Sequence, residues 1–166
     1  MIKRKFVHSI ITLFIFLLFS FQIVFAGTHS THYVTSWWSF GNNWSYYYTQ
    51  QGTVNYSSNI STAISSWKAA SSKLNITKAT APYGNIVITS KNYGNTGWDA
   101  MTYINLRIEI QDNVTSSNRS ELVAHELGHG FGLGHYSCSS ELMRAVGYKG
   151  SASPYEGDIA GINSLY

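Results

Sequence analysis

Residues 125–135 read HELGHGFGLGH, and this run constrains the chain more than any other stretch. His125 and His129 are four residues apart, so on a helix one face points both imidazoles at a common point. Glu126 falls beside that point, a placement that suits a base acting on metal-bound water rather than a third ligand. A helix running straight on would carry His135 away, so the chain must turn sharply after His129. Gly130, Gly132 and Gly134 permit the turn, and Gly132 is the position expected to need a positive φ. His135 then completes three nitrogen ligands and leaves a fourth position open, the arrangement of a catalytic zinc rather than a closed structural one. The alternative is a Gly-rich helix end with incidental histidines. At ordinary residue frequencies the five fixed positions would coincide in such a chain with a probability of roughly 10⁻⁵, which discounts that alternative heavily.

The compartment follows from the start of the chain. Lys3, Arg4 and Lys5 precede an uncharged, apolar-rich run from Ser9 to Ala26, the tripartite pattern of a secretory signal peptide, with Val24-Phe25-Ala26 as a cleavage site before Gly27. Residues 1–26 are therefore expected to be the signal and residues 27–166 a single secreted, extracellular domain that meets a membrane only during export. The competing reading is an uncleaved leader that anchors the domain at the outer face of the membrane. The formal charge of +3 belongs to this leader, because eight basic residues face eight acidic ones in the remainder. That balance removes the electrostatic case for nucleic acid as a partner. Cys138, the one cysteine, cannot form an internal disulfide and is either an inert thiol or an intermolecular partner. With 15% aromatic residues the domain can bury enough surface to fold without such a staple.

Periodicity places the remaining elements. Tyr33, Trp37, Trp38, Phe40, Trp44, Tyr46, Tyr47, Tyr48 and Tyr56 read as half-buried strand residues, with Gly41-Asn42-Asn43 as a turn between two strands. Ile60, Ala63, Ile64, Trp67 and Ala70 form the stripe of an amphipathic helix capped by Asn59 and ending near Ser72. Short β-rich runs follow at 74–77 and 85–90, then a loop over 91–99 containing Gly94 and Gly97. Ile104, Leu106, Ile108 and Ile110 alternate with polar residues as a strand with one wet face. Asn118 and Glu121 suggest a capping box at the start of the helix bearing the histidines. The last helix is expected from Ser153, with Pro154 at its first position and Ile159, Ile162 and Leu165 facing the core.

The motif and its flanks resemble the metzincin metallopeptidases, most closely the matrixin branch, whose members resemble the matrix-metalloproteinase catalytic domain. ISTAISSWKAASSKLNIT is similar to that family's first helix leading into a strand, ELVAHELGHGFGLGH to its active-site helix, and GDIAGINSLY to its C-terminal helix. The resemblance implies an α+β metzincin fold: a twisted mixed β-sheet with an active-site helix, a methionine turn and a C-terminal helix. It implies one catalytic zinc held by His125, His129 and His135, with Glu126 as general base. Met143 matches the methionine of the turn that floors the ligand cluster, and Asp158 an acid that supports this turn. Ala145 stands where the matrixin pattern has a proline, with Tyr148 arriving later, and the pattern's paired acids reduce to Gly157 and Asp158.

The function expected is a secreted zinc endopeptidase acting as a monomer on extracellular polypeptides, with the substrate extended along a sheet edge near residues 85–97. The alternative is an exported, aromatic-rich, zinc-containing binding module for glycans, without turnover. Calcium accompanies many matrixins, but with Asp99, Asp112 and Asp158 as the exported aspartates it stays open and unsupported. A second metal at His29 and His32 is the lesser reading beside exposed histidines.

Overall fold

In the computed structural model the described residues are 33–166. The expected leader and cleavage site, and His29 and His32, lie outside them. The element order is β1 (Asn43–Gln50), α1 (Ser57–Ala70), β2 (Asn75–Lys78), β3 (Ile86–Lys91), β4 (Ala100–Tyr103), β5 (Arg107–Gln111), a 3₁₀ turn (Ser116–Asn118), α2 (Arg119–Gly130) and α3 (Glu156–Leu165). The class is α+β with a mixed sheet, as expected. Among the described residues no helix is long and apolar enough to cross a membrane.

The sheet order is β2-β1-β3-β5-β4, with every pair parallel except β4 against β5. Parallel neighbours need a crossover, and α1 supplies the one between β1 and β2. On the inner strands Ile86, Ile88, Ile108 and Ile110 stand at alternate positions, so they share one face of the sheet, and all are at 1% exposure or less. Helices α1 and α2 pack against each other through Trp67, which is fully buried and donates its indole N–H to the Ala124 carbonyl at 2.8 Å. Its ring meets Phe131 edge-on at 5.3 Å between centroids.

Several local expectations are corrected. Among the described residues no second strand precedes β1. Residues 33–42 form one isolated bridge, Thr35 with Leu133, and bond through Ser36 N and Phe40 N to the carbonyls of Gly132 and Gly130. The early aromatics therefore lie along the loop that follows α2, and Trp37 is 86% exposed. Helix α1 starts two residues before Asn59, whose side chain donates to Ser120 Oγ rather than capping. The period-two run shortens because Ile104 and Leu106 sit in the three-residue hairpin loop, Leu106 at φ +62°, so both are exposed. Asn118 is already helical at φ −96°, ψ −13° and makes no side-chain cap, because the 3₁₀ turn leads straight into α2. Helix α3 starts at Glu156 instead of Ser153, after an extended Tyr155 whose N–H donates to Asp158 Oδ2 at 2.8 Å. Most consequential for a substrate path, residues 86–91 are the centre of the sheet, and its edges are β2 and, beside the histidines, the antiparallel strand β4.

Candidate metal centre and active-site cleft

Helix α2 presents His125 and His129 one turn apart and ends in a Schellman motif. The N–H of Leu133 donates to the Gly128 carbonyl at 3.0 Å and that of Gly132 to the His129 carbonyl at 2.9 Å. Gly132 has φ +95°, as its spacing predicts, and a Cβ there would lie 2.9 Å from Ser39 Cβ. The turn sends the chain back so that His135 Nε2 lies 3.1 Å from Nε2 of both His125 and His129.

The far side of two rings is fastened to backbone. His125 Nδ1 donates to the Leu142 carbonyl at 2.8 Å and His129 Nδ1 to the Leu133 carbonyl at 2.9 Å. A carbonyl only accepts, so each Nδ1 carries the ring proton and each Nε2 is a bare lone pair. Burial disfavours the imidazolium, pushing His125 down to about 3 with help from His129, and His129 and His135 also below the usual range. Three neutral nitrogens, all within 4.8 Å of one another, suit a single divalent cation that prefers imidazole, and the residues fit zinc on this donor set.

Below the histidines Met143 is 2% exposed, and a Cβ on Gly128 would come within 2.3 Å of its sulfur. Asp158 holds this turn from α3, accepting the N–H of Leu142 at 2.8 Å and of Met143 at 3.1 Å. Since Leu142 also receives the His125 bond, Asp158 is linked to a ligand ring through one peptide unit.

Glu126 lies 5% exposed in the same cleft, and burial pushes its carboxyl up to about 7. The hydroxyl of Thr102, on edge strand β4, donates to Glu126 Oε2 at 2.6 Å and pulls slightly the other way. Ala100, Met101 and Thr102 line the cleft from one side; Leu122, Ala145, Val146 and Tyr148 line it from the other.

Glu121 does not cap α2. Its carboxylate is 4% exposed and accepts Arg144 Nη2 at 2.6 Å and the N–H groups of Lys149, Gly150 and Ser151 at 2.6, 2.7 and 3.0 Å. Arg144 in turn donates to the carbonyls of Gly147 and Ser139. This pair fixes the wall formed by residues 145–151. Neither this role nor that of Thr102 at Glu126 is signalled in the sequence, because the partners are remote in the chain. Cys138 is half-buried with Sγ 3.1 Å from Ser140 Oγ.

The model of the matrixin family matches residues 90–166. Human matrix metalloproteinase-19 is 38% identical over 73 residues, a stretch covering 42% of this chain and 12% of that relative, so the chain spans only a small part of it. The match includes the edge strand, the three histidines, the methionine turn and α3. Over residues 90–166, and on a mixed α+β fold, the chain is similar to the matrixin branch of the metzincins.

Proposed function

We propose that the protein is a zinc-dependent endopeptidase in which His125, His129 and His135 hold the metal and Glu126 is the general base. The observation that carries this reading is the gathering of three imidazole nitrogens beside a buried carboxylate, in a cleft walled by a free strand edge. When bound, the zinc supplies Lewis acidity toward the scissile carbonyl and the attacking water. The chain's own groups do the rest. Strand β4 offers unpaired backbone groups to an extended peptide, which would add to the sheet as a further strand. Glu126, with its carboxyl near neutrality and oriented by Thr102, takes a proton from water and delivers it to the departing nitrogen. Met143, Asp158 and the turn at Gly132 keep the three rings converged.

On this reading residues 1–26 direct export and residues 27–166 act on extracellular polypeptides, a reading supported by the basic start and apolar run before Gly27. Hydrolysis of an unfolded protein by the zinc-loaded chain should stop on chelation and return when zinc is restored. Zinc uptake without turnover, together with glycan binding that survives chelation, would favour the binding-module alternative instead.

A further inference from the structure

The cleft is short of free charge. Among its lining residues the charged groups are Asp99, Glu121, Glu126 and Arg144. Glu121 and Arg144 are spent on each other: the four bonds to the Glu121 carboxylate saturate its acceptor sites, and the Arg144 guanidinium also serves two carbonyls. Glu126 is buried behind Thr102 and reserved for proton transfer. Asp99 is different. It is exposed on the loop leading into β4, and its carboxylate accepts one bond, from the hydroxyl of Tyr148 on the opposite wall. No lysine lines the cleft, and the nearest along the chain, Lys149, is engaged with the Ser153 carbonyl and the Tyr155 ring.

We propose that Asp99 is a specificity-determining residue, selecting polypeptides that place a lysine or arginine side chain in the cleft beside the histidines. The lining fits such a side chain along its length. Leu122, Ala145, Val146 and Trp98 give apolar surface to its methylene stem, and Asp99 gives its head a carboxylate with lone pairs to spare. A purely aliphatic side chain gains the stem contacts and leaves Asp99 with Tyr148 and water. Because Asp99 is exposed, the expected advantage of the cation is modest, about fivefold in affinity.

This inference rests on the peptidase reading for the identity of the ligand, so its test reads binding rather than turnover. The full zinc-loaded chain carrying Glu126→Gln is titrated with a fluorescent peptide set. In this set lysine is moved through each position and compared with norleucine, which keeps the stem and drops the ammonium. At one position lysine should bind about fivefold more tightly, an advantage that shrinks at high salt. Asp99→Asn should bring that ratio to about one. Tyr148→Phe keeps the carboxylate and removes the bridge between the walls, so it should preserve the ratio, which separates charge recognition from loop bracing. Equal binding of norleucine at every position, an unchanged ratio in Asp99→Asn, loss of the ratio in Tyr148→Phe, or no peptide binding would each overturn the inference. Lysine preference with no hydrolysis of any peptide by the chain with Glu126 intact would leave it standing and remove the peptidase reading. Hydrolysis with no preference would do the reverse.

Discussion

The hydroxyl of Thr102 lies 2.6 Å from Glu126 Oε2, joining the free edge of the sheet to the helix that carries two of the three histidines. A buried carboxylate that acts on water must be held in one rotamer, and among the described residues Thr102 is the side chain that bonds it. Thr102→Val keeps the shape and removes the donor. It should lower kcat about tenfold with little change in KM or zinc content, the scale of one hydrogen bond to a charged group. Thr102→Ser should recover most of the loss. Equal rates in the valine variant would show that Glu126 is oriented by other means.

Gly132 is the residue on which the return of His135 depends. At φ +95°, with Ser39 Cβ 2.9 Å from where a side chain would start, alanine meets both backbone strain and a collision. Gly132→Ala should destabilise the fold by about 1–2 kcal/mol. It should also weaken zinc binding by at least about tenfold, because the third ligand moves while the other two stay on the helix. Thermal unfolding with and without zinc, together with competition against a chelator, reads both effects.

What was legible in the chain divides by distance along it. The i, i+4 histidines, the positive φ of Gly132 and the Ile60, Ala63, Ile64, Trp67 stripe rest on helical geometry within a few residues, and each has its expected place. Glu121 looked like a local capping acid because Asn118 stands three residues before it. Its actual partners, Arg144 and the N–H groups of residues 149–151, are brought to it only by the fold. Leu106 fits a period of two as well as Ile108 does, yet a hairpin must close before β5, and that places Leu106 in the loop. Which strand forms the edge depends on sheet order, and nothing local in residues 85–97 distinguishes a central strand from an outer one.

Glu141 carries the clearest pH signature. It is completely buried, its Oε1 lacks a partner, and its Oε2 accepts the Asp158 N–H at 3.2 Å. Burial and then the neighbouring Asp158 charge push its carboxyl upward. A folded-state value above the unfolded one means the folded state is favoured below the unfolded value, and that advantage is lost as pH rises through the folded one. Glu141→Gln keeps the size and removes the charge. It should stabilise the protein by about 1 kcal/mol at neutral pH, the scale of an unpaired buried polar group, and the gain should vanish below about pH 4. Denaturant unfolding across that range checks the sign; a glutamine variant that is less stable at neutral pH would show that Glu141 is ionised and satisfied.

The most direct measurement is zinc content and hydrolysis made on one preparation of Glu126→Ala. Zinc should remain at one equivalent, since the three histidines are untouched, while hydrolysis of an unfolded protein substrate falls about a thousandfold, in the range expected for losing a general base. Unchanged hydrolysis at full zinc occupancy would contradict the assignment of Glu126 and with it the mechanism built on the cleft.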